Sequence, residues 1–268
     1  MQIVIGIVLA VGVALLAWKA GALSTSGAWA AVVTGGFIFG LGGLAWAALL
    51  LSFFISSSIL SRAFSKRKAS LAEKFAKGSR RDWGQVFANG GLGALLAIGY
   101  SVSNHSVVFW WAFIGSMAAV NADTWSTELG VLSKVPPRLI TSGKIVDQGT
   151  SGGITLVGIL AAIGGAALIG VVALIFSAVE NLPTALLVII LGGLVGSLFD
   201  SLLGATVQAI YWCPACNKET ERHPLHTCGT NTEQIRGWSW INNDVVNFGC
   251  SIMGAIITAG TGIWLLSF

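Results

Sequence analysis

The stretch GGITLVGILAAIGGAALIGVVALIFSA, residues 152–178, contains no charged side chain. About 20 consecutive apolar residues suffice for a helix to cross a lipid bilayer. The whole chain of 268 residues is 54% hydrophobic and only 10% charged, whereas soluble domains average about 25% charged residues. The sequence therefore predicts an all-α, polytopic transmembrane bundle that forms a single integral-membrane domain, residues 1–268.

Hydropathy predicts about seven spans, within a range of six to eight. The first segment, MQIVIGIVLAVGVALLAW, lacks a basic n-region and a small-residue cleavage site, so we interpret it as a retained helix and not as a signal peptide. The second span is long enough to be tilted, or broken near the glycine cluster at 40–43. The predicted spans are 2–22, 28–58, 86–103, 106–127, 152–178, 184–210 and 246–267.

The fifteen Lys and Arg residues, apart from Lys19, lie in three predicted loops, 61–84, 133–151 and 211–241. Two spans separate each loop from the next, so all three loops can lie on one face, which the positive-inside rule makes cytoplasmic. A topology signal with anionic lipid contact explains the KRK cluster of the basic 61–84 loop as well as a functional role does. One-sided loops favour a membrane enzyme that meets a soluble substrate, because channels and transporters usually need access from both faces.

The motif NADTWSTELG, residues 121–130, places Asp123 and Glu128 at the end of an apolar run. A charge within the hydrocarbon costs a few kcal/mol or more, so such acids are candidates for a functional site. An interfacial helix end or a buried Arg–carboxylate pair is the alternative explanation. At 100° per residue the two acids point roughly 140° apart. Either the helix breaks here or the acids have different roles, and we expect a break.

Two further acids lie at the same predicted membrane level. Asp200 belongs to GGLVGSLFDSLLGATVQ, residues 192–208, where small residues allow close helix packing but do not explain an acid. Asp244 belongs to WSWINNDVVNFG, residues 238–249, beside Asn243 and Asn247. Carboxylate and amide oxygens suit a hard cation such as Mg²⁺. A polar helix cap explains one of these residues but not Asn247.

The 133–151 loop and the start of the next helix read PPRLITSGKIVDQGTSGGIT over residues 136–155. A glycine-rich turn at a helix N-terminus exposes backbone N–H groups and favours an anion. Lys144 could add charge for a phosphate, and Asp147 could hold a metal. The segment is not a Walker A motif, and turn formation or packing also explains its glycines.

The 211–241 loop combines CPAC, residues 213–216, with ERHPLHTCG, residues 221–229. This spacing of thiols and imidazoles is typical of a structural Zn²⁺ site, and a cytoplasmic location disfavours a disulfide. The zinc would fix the loop over the functional face. The predicted ligands are Cys213, Cys216, His226 and Cys228, with His223 as an alternate.

Several of these motifs occur together, in the order SRRDWGQVFANGG, NADTWSTELG, GKIVDQGTSGG, LFDSLLGATVQ, CPAC and WINNDVVNF. In this order they resemble the transmembrane protein 19 family, which includes the phytyl-phosphate kinase of plant chloroplasts. The resemblance covers residues 28–262. More distantly, the chain resembles the CTP-using polyprenol and phytol kinases and their cytidylyltransferase relatives.

The resemblance implies that an isoprenyl monophosphate is phosphorylated to the diphosphate with CTP or another nucleoside triphosphate. Phosphoryl transfer relies on positioning and on charge neutralisation, usually through Mg²⁺. The residues that would hold Mg²⁺ or act in catalysis are Asp123, Glu128, Asp200 and Asp244. The residues that would bind substrate and phosphate are Arg80, Arg81, Asn89, Lys144, Asp147, Gly149, Ser151, Gly152, Gly153, Asn243 and Asn247.

Other functions share some of these features. A cytidylyltransferase would use the same metal to make a CDP-lipid. Intramembrane acids and glycine-rich helices also occur in transporters and lipid scramblases, but residues 160–178 and 184–191 contain no polar path toward the other face. A purely structural scaffold would tolerate neutral residues in place of the acids. The glycine-rich faces would permit a homodimer, and no nucleic-acid partner is expected.

Overall fold

A computed structural model of the chain describes residues 1–64 and 73–266. Eight helices form a bundle within these residues, and the five short strands lie between helices. Seven helical segments of the described chain are long and apolar enough to cross a membrane, which confirms the predicted polytopic fold. The helices are α1 Gln2–Lys19, α2 Thr25–Phe37, α3 Leu44–Ala63, α4 Trp83–Val102, α5 Val107–Gly130, α6 Leu156–Ile175, α7 Leu182–Thr206 and α8 Asn243–Leu266.

The predicted second span is broken in the structure. A π-helical turn, Ile38–Gly42, extends α2, and Gly43 then adopts a φ of 79° before α3 begins. Glycine tolerates a positive φ because it has no Cβ atom. The Arg62 guanidinium near the end of α3 donates to the carbonyl oxygen of Ala20, so α3 returns to the end of the bundle from which α2 departs. The predicted span 28–58 is therefore two antiparallel helices.

Helix α5 lies at the centre of the bundle, where thirteen of its 24 residues are buried. Asn121 is fully buried; its Nδ2 donates to the Gly165 carbonyl at 2.8 Å, and its Oδ1 accepts from Ser56 Oγ at 3.0 Å. Small residues bring the neighbouring helices close, since a methyl group added at Gly196 would lie 2.5 Å from Ala119 Cβ. Asn121 is thus surrounded by protein and not by lipid.

The expected helix break within NADTWSTELG is wrong, because α5 continues unbroken to Gly130. Helix α3 supplies partners for two of its polar side chains without any change in backbone: Trp125 Nε1 donates to Ser56 Oγ at 3.3 Å, and Glu128 Oε1 accepts from Ser61 Oγ at 2.7 Å. Asp123 lies on a different face of the same helix, as the 100° rotation per residue requires. The two acids consequently occupy different environments.

The predicted loops meet at one end of the bundle. Glu221 N donates to the Lys74 carbonyl at 2.8 Å, and Ser151 Oγ donates to Gln208 Oε1 at 2.7 Å. The α1–α2 turn joins them, because Arg81 N donates to the Ala22 carbonyl at 3.0 Å. We call this the loop end of the bundle. The KRK cluster, residues 66–68, lies outside the described residues.

Two small antiparallel sheets order the loop end. In the first, β1 (Arg138–Leu139) pairs with β2 (Gly153–Ile154). In the second, the strand order is β4 (Lys218–Thr220), β3 (Ile210–Cys213), β5 (Glu233–Arg236). The register pairs Tyr211 with Thr220 and Cys213 with Lys218, so β3 and β4 form a hairpin whose turn contains CPAC.

We expect Gly196→Val to destabilise the bundle by about 1–3 kcal/mol, because the added carbons overlap α5 in a close-packed interior. Gly12→Val is the matched control, since a methyl group at Gly12 meets nothing within 4 Å in the described residues. Thermal unfolding in detergent measures both variants. Equal melting temperatures would contradict the close α5–α7 packing.

Candidate functional site

A polar cleft of about 820 Å³ opens at the loop end of the bundle. Asp123, Thr127 and Gly130, which the helical rotation places on one face of α5, all line it. Asp200 of α7 and Glu221 of the 211–241 loop also line it. The cleft therefore brings together carboxylates that are up to 98 positions apart in the sequence.

Two carboxylate oxygens near this cleft are buried without a hydrogen bond. Asp200 Oδ2 and Asp244 Oδ1 have no partner in the part of the chain that the structure describes. The charges of Asp123 and Glu221 both act on Asp200, and the charge of Asp244 acts on Glu221. Buried oxygens without partners are costly unless a bound ion or water satisfies them. The donor set therefore fits a hard divalent cation.

The carboxylates are near one another but do not form a compact metal cage. In residues 1–64 and 73–266, the only group of three or more His, Cys, Asp or Glu donors within 4.8 Å of one another is the Cys/His group. Carboxylates repel one another when no cation lies between them. Mg²⁺ usually takes one or two carboxylates and completes its octahedron with waters and substrate phosphates. Asp123 and Asp200 would suffice for such a site.

Asp244 forms an ion pair with Lys77, a residue that the sequence analysis did not select. The Lys77 ammonium contacts Asp244 Oδ2 and lies 2.9 Å from Asp82 Oδ2. Asp82 in turn caps α4 by accepting from the Gln85 N–H at 3.0 Å. Burial lowers the pKa of Lys77, but its hydrogen bonds to Asp244 and Asp82 outweigh that effect and raise it. Lys77 therefore stays protonated and ties Asp244 to the start of α4.

The glycine-rich segment forms one wall of the cleft. Gly149, Ser151, Gly152 and Gly153 all line the cleft. Gly149 and Gly152 have φ angles of 77° and 84°, which a β-carbon would strain. Thr155 Oγ1 accepts from the Gly158 N–H at 3.0 Å and caps α6. The N-terminus of α6 consequently faces the cleft, where its dipole favours an anion.

Two predicted phosphate-site residues lie outside the cleft lining. Lys144 is exposed near the tip of the 138–145 turn, where its carbonyl accepts from Leu139 N at 2.8 Å. The Asp147 side chain is 92% exposed and lies 3.8 Å from Lys74 Nζ. Asn243 lines the cleft, whereas Asn247, one turn later on α8, does not. Of these four residues, the structure thus brings only Asn243 to the cleft.

Arg81 and Glu128 interact with α3 and with each other. Arg81 donates to Ser58 Oγ at 2.9 Å and to Ser57 Oγ at 2.8 Å. Burial lowers the pKa of Arg81 to about 10, although the charge of Glu128 opposes this, and the guanidinium stays charged near pH 7. This is the buried Arg–carboxylate arrangement that remained an alternative for Glu128. Arg80 is exposed and donates to the Leu23 carbonyl at 3.0 Å.

A second cavity, of about 610 Å³, lies among α1–α4. Alanine, leucine and phenylalanine side chains form most of its wall. Arg81, Gln85 and Asn89 supply polar groups to the same cavity, so two of the predicted substrate- and phosphate-binding residues, Arg81 and Asn89, lie together. We call it the α1–α4 cavity.

The Cys/His group has the composition that the sequence predicts. Cys213, Cys216, His226 and Cys228 place their donor atoms within 4.8 Å of one another. Cys213 Sγ lies 3.6 Å from Cys228 Sγ, and His226 Nδ1 lies 3.4 Å from the same sulfur. A tetrahedral site with metal–sulfur bonds of about 2.3 Å separates its sulfurs by about 3.8 Å. The geometry therefore fits a four-coordinate metal.

His223, the alternate ligand, is directed elsewhere. Its ring stacks on Tyr211 with centroids 4.4 Å apart and an interplanar angle of 13°. All four cysteines are free thiols in the structure. The stacking leaves His226 as the imidazole of the group.

Sequence reasoning missed Glu221, which lines the cleft although it belongs to the Cys/His loop. Its Oε1 accepts from Gln208 Nε2 at 2.9 Å, and its Oε2 accepts from Ala76 N at 3.4 Å. Burial raises the pKa of Glu221. Its position between the Cys-x-x-Cys and His-x-Cys pairs was the one available signal, and that position alone does not predict where the side chain points.

Comparison with known proteins gives matches along most of the chain. The family described as "Integral membrane protein DUF92" matches residues 8–255. "Protein PGR" of Arabidopsis thaliana is 34% identical over 245 residues, covering 83% of each chain. An uncharacterized membrane protein of Methanocaldococcus jannaschii is 35% identical over 200 residues, covering 73% of this chain and 79% of the relative.

"Protein VTE6, chloroplastic" of Arabidopsis thaliana is 26% identical over 240 residues, covering 88% of this chain and 64% of the relative. No solved structure matches the chain. These matches confirm the family resemblance that the ordered motifs indicate.

We expect the purified protein to contain one thiolate-bound metal ion per chain, measured by inductively coupled plasma mass spectrometry. Cys216→Ser should lose that metal because it removes one of four ligands. Cys250→Ser is the matched control, since Cys250 is buried in α8 outside the group. Equal metal content in the two variants would show that the metal is bound elsewhere.

Proposed function

This chain belongs to the integral membrane protein DUF92 family, and we propose that it is a membrane-embedded isoprenyl-phosphate kinase. It transfers a phosphoryl group from a nucleoside triphosphate, with CTP favoured, to a prenyl monophosphate. The observation that supports this most is the loop-end cleft, where Asp123 and Asp200, one buried oxygen of which has no partner in the described residues, share the lining with a glycine-rich helix N-terminus. The motif resemblance to phytyl-phosphate kinase supports the substrate class.

The proposed mechanism assigns separate tasks to the two sides of the cleft. Asp123 and Asp200, with Asp244 and the Asn243 amide close by, would hold Mg²⁺, which would neutralise phosphate charge. The glycine-rich turn and the α6 N-terminus bind the donor phosphates through backbone N–H groups. Lys77 keeps Asp244 in place. This division leaves the space between the two sides for the transferred phosphoryl group.

The acceptor phosphate attacks the terminal phosphorus of the donor, the bond to the bridging oxygen breaks, and a nucleoside diphosphate leaves. A phosphate monoester is already an anionic nucleophile near neutral pH, so the reaction needs no strong general base. Positioning and charge neutralisation account for most catalysis in phosphoryl transfer. This matches a cleft that is rich in charge and backbone donors but has no histidine in its described lining.

The prenyl chain of the acceptor occupies the α1–α4 cavity in this proposal. The apolar walls of the cavity suit a hydrocarbon chain, and the membrane would supply the substrate laterally. Arg81 and Asn89, which line the same cavity, would bind the phosphate at the end of that chain. A guanidinium that is already bonded to Ser57 and Ser58 is preorganised and loses little further freedom on binding.

The Cys/His group selects zinc among cellular metals in this proposal, because three thiolates and one imidazole in a tetrahedral arrangement favour it. The loop end faces the cytoplasm under the positive-inside rule. That orientation gives the cleft access to soluble nucleotides and agrees with reduced cysteines.

Purified protein with Mg²⁺, CTP and geranylgeranyl monophosphate should yield the diphosphate, detected by mass spectrometry. Asp123→Asn and Asp200→Asn should each lower kcat by about 10²–10³-fold, because each weakens the site for the cation that would stabilise the phosphate charge in the transition state. Glu180→Gln, an exposed acid in the connection between α6 and α7, is the control. A CDP-lipid product would replace the kinase with a cytidylyltransferase, and no product with any donor would overturn the enzyme assignment.

Ala31→Phe should raise the KM for geranylgeranyl monophosphate by about 10–100-fold, because it fills the α1–α4 cavity. The KM for dimethylallyl monophosphate, whose chain is short, should change little. Val33→Phe is the matched control because Val33 is 48% exposed on the outside of the same helix. Equal effects of Ala31→Phe on both substrates would place the prenyl chain elsewhere.

A further inference from the structure

The 211–241 loop links the Cys/His group to the loop-end cleft through one acidic side chain. We propose that the metal of the Cys/His group presents Glu221 to the cleft as an additional carboxylate for its divalent cation. Occupancy of the Cys/His group then determines how tightly the cleft binds that cation. The inference rests on the cation-binding cleft of the proposed function, but not on the identity of the lipid or of the nucleotide.

Glu221 is the residue through which the two sites communicate. It lies between Cys216 and His226, so two of the four metal donors precede it and two follow it. Its carboxylate lines the cleft. Its negative charge repels that of Asp200 there, and the charge of Asp244 repels that of Glu221. Along the chain, Glu221 lies between the ligands of the Cys/His group, whereas its side chain lines the loop-end cleft.

Hydrogen bonds fix the direction of the Glu221 side chain. Gln208, which is 1% exposed, donates to Glu221 Oε1 at 2.9 Å and accepts from Ser151 Oγ at 2.7 Å. The same amide thus contacts the glycine-rich wall and the acid opposite it. Within residues 1–64 and 73–266, one N–H contact, from Ala76 at 3.4 Å, reaches the other carboxylate oxygen. Glu221 Oε2 therefore keeps capacity for a further ligand, since a carboxylate oxygen has two lone pairs.

The hairpin that carries Glu221 depends on the metal group for its closure. Cys213 ends β3 opposite Lys218, and the Asn217 N–H donates to the Cys213 carbonyl at 2.9 Å. β4 has three residues and lies at the edge of the three-stranded sheet, and pairing over so few residues adds little stability in water. A four-coordinate metal joins the hairpin turn to the 226–228 segment, whereas uncompensated thiolates would repel one another. Metal loss should therefore loosen the segment that contains Glu221.

The same strand orders part of the basic 61–84 loop. Thr220 Oγ1 donates to the Glu73 carbonyl at 2.8 Å, and Glu221 N donates to the Lys74 carbonyl at 2.8 Å. Three residues later, Lys77 contacts Asp244. The Cys/His hairpin consequently supports two sides of the acidic site: Glu221 directly and Asp244 through the 73–77 segment.

Mn²⁺ binding to the full-length protein in lipid nanodiscs, followed by electron paramagnetic resonance without nucleotide or lipid substrate, tests the role of Glu221. Glu221→Gln should weaken Mn²⁺ binding by about 10-fold or more, while the zinc content stays unchanged. Glu219→Gln is the matched control because Glu219, which lies on β4 and pairs with Trp212 of β3, is outside the cleft lining. Equal Mn²⁺ affinities in the two variants, or no Mn²⁺ binding by the unmodified protein, would overturn the proposal.

Coupling between the two sites is tested by combining variants. Cys216→Ser should lose zinc and weaken Mn²⁺ binding, and adding Glu221→Gln should cause little further loss, because both changes act through one side chain. Independent, multiplicative losses would overturn the coupling. These experiments measure metal binding alone, so a failed kinase assay with intact Mn²⁺ coupling would reject the proposed reaction and leave this inference in place.

Discussion

The structure depends on satisfying the polar groups of α5 inside a bundle that is otherwise apolar. Asn121 is fully buried and bonds to α6 through the Gly165 carbonyl and to α3 through Ser56. In hydrocarbon these groups would have no partners, and α5 could not sit at a lipid-facing position. Glycines on the neighbouring helices let them approach closely enough to provide those partners. The central position of α5 then presents Asp123 to the loop-end cleft.

Burial of α5 also separates the two acids of NADTWSTELG. The face of Glu128 turns toward α3, where Ser61 and the charge of Arg81 stabilise it. The face of Asp123 turns toward α7 and the glycine-rich turn. A continuous helix therefore assigns Glu128 to holding the bundle and the 73–81 segment together, and Asp123 to the cleft. The same geometry places the buried cation Arg81 beside Glu128 and the α1–α4 cavity, outside the lining of the loop-end cleft.

Much of this arrangement was predictable from particular residues. The uncharged run at 152–178 predicted a membrane helix, and α6 occupies its centre. The four Cys/His ligands were predictable because ligand spacing within one loop is local information. Lys77 and Glu221 were not, because each reaches its partner across more than 140 positions, a separation that ligand spacing within one loop does not reveal. The count of helices near residues 28–58 depended on one glycine, Gly43, whose conformation hydropathy does not encode.

The sequence by itself determined the membrane fold, the metal-binding composition of the 211–241 loop and the acids that need a polar environment. Those properties follow from hydrophobicity, charge and short-range spacing, which are fixed along the chain. Only the tertiary structure decided which acids share a site, because that depends on helix rotation and on loops that meet across the bundle. It separated Glu128 from Asp123, added Glu221 from the Cys/His hairpin and left Lys144 outside the cleft.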